Sequence, residues 1–486
     1  MSEERRTKSG PSRTSDLAAR RRREARRRAF AGSGPLGITE LAASGYKSIV
    51  QRQAIEIRPL TILAGANSSG KSSIVQPLLL LKQTLDASFD PGPLLLEGPN
   101  ATFTSADQFL SRLGEEKRGE TLEVGIAVGS GARINLSFRR DPERGIQLRE
   151  MVFSDGGTEI KLRPEMTSSE LKADLPPAAR QFVTFVAGLE GGGSRRKSQA
   201  ENLLTFKVRR SRCFLELLAS PKPHGAKLRL GFSRGTDLKI GFPTEKVGNE
   251  IVRLIHLPGL RGNPERTYAV TGVGGTFPGT FEKYVASVIT KWQAEDKGKL
   301  EALNHALDRL GLTYRIIAKP VTETRVELRV GRLVHGKREG DDDLVSIADV
   351  GFGVSQTLPV LVALLVAEPG QAVYLEQPEI HLHPKAQSQM AGLLADAAVR
   401  GVRVIAETHS SILLRSVQTL VATGKLSPQL VKLHWFTRKP EDGSTEIHSA
   451  DLDKQGAFGD WPEDFDEVAL ETEKQYLDAA ETGHRS

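Results

Sequence analysis

Residues 65 to 73 read Gly65-Ala66-Asn67-Ser68-Ser69-Gly70-Lys71-Ser72-Ser73, and their first eight match G-x-x-x-x-G-K-S. The two glycines let the backbone curl until consecutive N–H groups point inward. Those amides, together with the positive end of a following helix, make a nest for phosphate oxygens. A lysine directly after the second glycine reaches β- and γ-phosphates, and the next hydroxyl ligates Mg²⁺. These residue types at this spacing make a P-loop, with ATP and Mg²⁺ as the expected ligands. The flanks agree, because residues 60–64 form an apolar strand candidate and the run to Leu81 has helical character.

A second chemistry-bearing region lies between 346 and 411. Ser346-Ile347-Ala348-Asp349-Val350-Gly351-Phe352-Gly353-Val354-Ser355-Gln356 precedes a helical run over 357–367. The strand candidate 372–375 ends in Glu376-Gln377-Pro378-Glu379-Ile380-His381-Leu382-His383-Pro384. After a helix to about residue 398, the strand candidate 402–406 ends in Glu407-Thr408-His409-Ser410. Strands alternating with helices, each strand ending in polar side chains, are what a nucleotide-binding α/β sheet presents at its ligand edge. The expected fold class is therefore α/β, a P-loop NTPase.

The rest of the chain must position these groups. Alternation over 38–57 predicts two antiparallel strands leading into the P-loop strand, and 94–163 reads as a β-rich lobe. Residues 164–339 form a mixed α+β insertion with helical spacing at 281–292 and 300–310 and strands at 313–318 and 325–333. The expected domains are a basic tail at 1–36, the first half of the head at 37–163, the insertion at 164–339, the second half at 340–450 and an extension at 451–486. That extension reads as a turn at Trp461 followed by an acidic amphipathic helix, with Trp461, Phe465, Val468, Leu470 and Leu477 expected to dock on the body or to meet a partner.

Composition narrows the class. The net charge of +7 is carried entirely by residues 1–36, where eleven Lys/Arg face four acids, so the remaining chain is neutral overall. The overall charge therefore says nothing about a nucleic-acid surface on the folded body; the tail and a short basic loop at 191–197 are candidates for phosphate contact, and each also reads as a plain solvated charge run. The single cysteine, Cys213, excludes an internal disulfide framework and reads as buried filler. The longest apolar run, 358–367, is too short for a bilayer and contains Pro359, so a cytoplasmic protein without a membrane span is expected.

The order of these motifs resembles an ABC-type ATPase head, in particular the OLD-like (overcoming lysogenization defect) group related to SMC and RecF heads. The resemblance covers about 38–110 and 340–450, with IHLPGLRGNPERTY at 255–268 a looser match. It implies that Gly65 to Ser73 form the Walker A loop and that Glu376 takes the Walker B position and binds Mg²⁺ through water. It implies that Gly351, Gly353, Ser355 and Gln356 form the signature that meets the γ-phosphate of a partner's ATP. His409 would be the switch histidine, residues 380–384 the D-loop, and Asp107 and Gln108 a candidate Q-loop. Heads of this kind work as ATP-sandwich homodimers, so ATP hydrolysis and a dimerising switch are expected. DNA maintenance or anti-phage defence with a separately encoded effector is the implied setting.

The chain departs from the resemblance at one catalytic position. The usual Asp-Glu strand end is Glu376-Gln377, and a neutral Gln377 orients water without accepting a proton. Glu379 is either an alternative base or, lying beyond Pro378, a structural residue, and slow turnover is expected because positioning and charge stabilisation still operate. Two other classes stand beside this reading. One is a self-contained metal-dependent nuclease using Asp451 and Asp453, although no TOPRIM-like set of carboxylates precedes that pair. The other is a non-hydrolysing ATP-dependent scaffold. His381 and His383 sit two apart, but no third ligand with metal spacing accompanies them.

Overall fold

Apolar residues succeed one another along the strand that leads into the P-loop, and their alternating side chains sort the interior into two cores on opposite faces of one sheet. The computed structural model describes residues 37–113, 117–129, 131–173, 175, 180, 204–221, 237–240, 244–332, 343–459 and 474. The central sheet has six strands: β1 (Leu60–Gly65), β2 (Ile255–Leu257), β3 (Ala372–Glu376), β4 (Arg403–Thr408), β5 (Val431–Arg438) and β6 (Thr445–Ala450). Their spatial order is β2-β3-β4-β1-β5-β6, parallel except for the β5–β6 hairpin. Leu60, Ile62, Val373, Leu375, Val404 and Ala406 belong to one core, and Leu63, Tyr374 and Ile405 to the other. Burial on both faces explains why these strands read as unbroken apolar runs.

Helices cover both faces. Helix α1 (Lys71–Asp86) leaves the P-loop, and its Ile74, Val75, Leu78 and Leu79 pack in the second core, between the central sheet and the β-lobe. Helices α2 (Phe352–Val366), α3 (Pro384–Val399) and α4 (Ser411–Ala422) pack in the first core, together with Val285–Glu295 and Lys297–Arg309. The β-lobe is a six-stranded antiparallel sheet in the order Gln53–Glu56, Ile38–Ser44, Thr121–Val128, Ala132–Asp141, Gly145–Asp155, Thr158–Leu162.

The structure redraws two boundaries. The span 164–339 does not stand apart as an insertion, because Ile255–Leu257 forms the edge strand β2, pairing in parallel with β3. A three-residue strand is too short to carry a period, which is why composition alone hid it. Helix α2 begins at Phe352, five residues before the expected run, with extended Gly351 as its N-cap. The glycine-rich stretch thus runs into the first turn of a helix.

Cys213 is free and buried, and burial pushes its thiol up to about 12, so it is unreactive. Among the described residues no helix is long and apolar enough to cross a membrane. The tail 1–36, the basic loop 191–197 and, but for residue 474, the amphipathic helix expected after Trp461 lie outside the described residues.

Candidate nucleotide site

The P-loop joins β1 to α1, and glycine is required at both of its ends. Gly65 has φ +145° and Gly70 φ +103°; a Cβ would lie 2.4 Å from Phe436 O at the first and 2.2 Å from Thr445 Oγ1 at the second. The β5–β6 hairpin thus presses directly on the loop. Thr445 Oγ1 also donates to Ser69 O (2.8 Å) and Arg438 Nε to Ser68 O (2.8 Å), leaving Ala66, Asn67 and Ser68 exposed at the tip. Ser73 N donates to Gly70 O (2.9 Å), closing the first turn of α1.

Lys71 folds back over this loop, donating to Gly65 O (3.0 Å) and Ala66 O (2.7 Å). Burial lowers its pKa to about 8, with Glu407 opposing the shift. Ser69 Oγ is buried and has no hydrogen-bond partner among the described residues. Ser72 Oγ donates into a carboxylate, lying 3.0 and 2.9 Å from the two oxygens of Glu407.

Glu407 and Glu376 are direct neighbours in the β3–β4 ladder, and opposed ladder positions share a face. Glu376 accepts from Gly259 N (3.1 Å), and its Oε1 lies 3.3 Å from His256 Nε2. Burial alone would raise its pKa, but His256, Gly259 and the charge of Arg261 outweigh burial and hold Glu376 below the usual carboxylate value. Glu407 is 6% exposed and its pKa is raised, chiefly by burial and further by the charge of Glu376, against hydrogen bonds from Tyr374 and Ser72. Adjacent carboxylates with opposite shifts are a pattern of functional sites.

Gln377 follows with φ +46°, its N–H donating to Glu407 O (2.8 Å). Ser68 (φ +61°) and His381 (φ +65°) are further non-glycine residues in the left-handed region. Three such residues in the loops expected to form the site mark it as strained. Glu379 is buried; its Oε1 accepts from Thr408 Oγ1 (2.5 Å) and His409 N (3.2 Å), so it acts as a strut between the turn after β3 and the end of β4. His409 is half-buried and hydrogen-bonded to the Gly65 backbone, and its pKa is lowered by burial and by Lys71, so at neutral pH the ring is neutral.

The signature residues divide. Gly351 and Phe352 are exposed, Gly353 and Ser355 partly so, and the Phe352 ring lies 6.3 Å from that of exposed His381 in the turn before α3. Gln356 departs from the expectation. It is 6% exposed, and its Nε2 donates to Arg261 O (2.6 Å) and Gly262 O (2.9 Å), so its side chain faces the interior rather than a second molecule. Helical geometry is the reason, since one residue beyond Ser355 lies about 100° round the axis.

Other sequence candidates are engaged locally. Asp107 pairs with Arg140, and the Gln108 side chain bonds Thr104, so neither turns to the P-loop. His383 caps α3 by accepting from Lys385 N (3.4 Å), and His381 lies in the preceding turn rather than in a strand beside it. Asp451 pairs with Lys432 (3.0 Å) and Arg58 (2.9 Å), and Asp453 accepts from the backbone of Gln455 and Ala457. Among the described residues no group of three or more His, Cys, Asp or Glu gathers as a metal cage.

Four residues that sequence reasoning passed over reach the site. Glu407 and His256 flank Glu376, and Lys47 is close enough to Glu376 for their charges to interact. Arg261 is 4% exposed and donates to Gln356 O (3.1 Å), Glu376 O (2.7 Å) and Gln377 O (3.3 Å), tying α2 to the end of β3. An acid at the end of an otherwise apolar strand was the available signal for Glu407.

The set fits a magnesium nucleotide: an amide-lined loop with an unpartnered buried hydroxyl, a lysine, and a hydroxyl–carboxylate pair of hard oxygens. A family described as "AAA domain, putative AbiEii toxin, Type IV TA system" matches residues 60–415. The chain belongs to this AAA family. The match begins at the first residue of β1 and ends within α4, so it spans every strand end of the site. Solved structures similar to this AAA protein include an Smc head bound to the C-terminal winged-helix domain of ScpA. That pair shares 12% identity over 86% of this chain and 98% of the other, with a TM-score of 0.46. An SMC head domain from Thermotoga maritima matches at 11% identity over 86% and 100%, with a TM-score of 0.37. The Smc head with an extended coiled coil from Pyrococcus furiosus, bound to the C-terminal domain of ScpA, matches at 12% over 92% and 99%, with a TM-score of 0.41. No curated protein matches the chain.

Proposed function

We propose that this AAA protein is a nucleotide-driven switch that binds MgATP at its P-loop, closes head to head on a second copy, and hydrolyses ATP slowly. The carrying observation is the convergence of Lys71, Ser72, Glu376, Glu407 and His409 around the P-loop. Gly65 to Ser73 cradle the phosphates through backbone amides, Lys71 moves from the loop carbonyls to phosphate oxygens, and His409 is placed to bond the γ-phosphate. Mg²⁺, held by Ser72 and served through water by Glu376 in the Walker B position, would neutralise charge on the β- and γ-phosphates. Glu379 positions His409 rather than acting as a base.

The dimer reading is supported by exposed Gly351 and partly exposed Gly353 and Ser355 lying beside the turn at 380–384, where the glycines leave room for a partner's phosphates. The motif order supports placement in the OLD-like group, and the family's toxin description supports a role in defence, with closure passed to a separate effector. The glutamine at 377 favours, as a second reading, a scaffold that binds ATP without hydrolysing it.

Sizing of wild type and Lys71→Ala with and without saturating MgATP tests the proposal. Wild type is expected to shift to a dimer only with nucleotide, and Lys71→Ala to remain monomeric. A wild type that stays monomeric at saturation refutes the head-to-head switch.

Lys71 also predicts a pH dependence. Phosphate binding favours the charged ammonium, so affinity is full below the free-state value of about 8. Above it, affinity falls by up to about tenfold per pH unit. His409 is already neutral there and does not contribute. Lys71→Arg, always charged, is expected to flatten the profile, as nucleotide titrations from neutral to alkaline pH will show. A wild-type affinity constant across that range rejects the assignment of the fall to Lys71.

A further inference from the structure

We propose that Glu407, rather than Glu376, is the carboxylate that binds the divalent cation directly beside Ser72. The inference rests on the magnesium-nucleotide reading of the site and deepens it. Ser72 Oγ, the hydroxyl expected on the cation, lies within 3.0 Å of both Glu407 oxygens. Glu376 lies on the same face, but its carboxylate is engaged toward the edge strand, with one oxygen on Gly259 N and the other beside His256. Tyr374, fully buried, donates its hydroxyl to Glu407 Oε2 (2.8 Å) and fixes the carboxylate's orientation, as partners of metal ligands do.

The charge balance at Glu407 points the same way. It is 6% exposed and its hydrogen-bond donors are two neutral hydroxyls, while the nearby Lys71 ammonium is bonded to loop carbonyls instead. A buried carboxylate without a bonded cation is poorly compensated. A divalent cation at the Ser72–Glu407 pair supplies the missing charge. One hydroxyl and one carboxylate, completed by waters and phosphate oxygens, is a donor set suited to Mg²⁺, which keeps much of its hydration.

The test measures affinity for a fluorescent ATP analogue with Mg²⁺ and with EDTA, and electron paramagnetic resonance of Mn²⁺ bound with nucleotide. Wild type, Glu407→Gln and Glu376→Gln are compared. Glu407→Gln is expected to lose metal-enhanced affinity by about tenfold or more and to release Mn²⁺, with its EDTA affinity unchanged. Glu376→Gln, which removes the neighbouring charge but not the carboxylate beside Ser72, is expected to lose less of the metal enhancement than Glu407→Gln and to retain bound Mn²⁺. Glu407→Asp, which keeps the charge but retracts it, serves if the glutamine variant does not fold; its metal enhancement is expected to fall part of the way. The proposal is overturned if Glu376→Gln alone loses the metal effect, or if Glu407→Gln or Glu407→Asp retains it in full. A wild type that binds the analogue in neither buffer refutes the nucleotide reading itself, and this inference with it.

Discussion

Replacing Arg261 with methionine is expected to destabilise the protein by about 3–5 kcal/mol, the range for removing one partner from a buried charge arrangement. Arg261 is 4% exposed and its two terminal nitrogens reach three carbonyl oxygens, those of Gln356, Glu376 and Gln377. Its charge also faces Glu379 and Glu376, both largely buried, which would lose a compensating positive charge. Methionine fills similar volume but donates nothing. Lysine keeps the charge yet offers a single ammonium in place of a planar fork, so Arg261→Lys should recover only part of the loss. Denaturant midpoints at constant slope give the comparison. A methionine variant within about 1 kcal/mol of wild type would show that Arg261 is not the tie between α2 and β3.

How much of this was legible in the sequence depends on how local each feature is. The P-loop lies within nine residues, so its glycines, lysine and hydroxyls could be named before any fold was known, and the strands around it announced themselves as apolar runs with polar ends. Arg261 could not be found this way, because the carbonyl of Glu376 that it grips lies 115 positions away. The Ser72–Glu407 contact spans 335 positions and exists only because β1 and β4 are adjacent in the sheet. Strand β2 escaped because three residues carry no period, and its His256 therefore looked like any other histidine. Gln356 erred in the opposite direction. Its motif placed it on the partner-facing surface, whereas the helical start at Phe352 turns it inward, and motif position gives way to helical phase. Glu407 was within reach, since an acid closing a buried strand beside a strand that closes on Glu376 asks for a cation.

Gln377→Glu is expected to accelerate ATP hydrolysis by about 100-fold or more, the usual contribution of a positioned general base. On the proposed reading the native amide would orient water at the strand end without taking its proton, so wild-type turnover would rely on positioning and charge stabilisation. The substitution is isosteric, and the backbone of residue 377, at φ +46° with its N–H on Glu407 O, need not move. A third carboxylate beside Glu376 and Glu407 would be harder to ionise than a solitary one, since like charges raise one another's pKa. The gain should therefore grow as pH rises through and above neutrality, whereas the wild-type rate should lack that rise. Phosphate release at saturating MgATP over this pH range, with Lys71→Ala as the blank, gives both profiles. A variant no faster than wild type at any pH would mean that the attacking water is not at residue 377. A fast wild type would mean that another group already accepts its proton, and the slow-switch reading would fail with it.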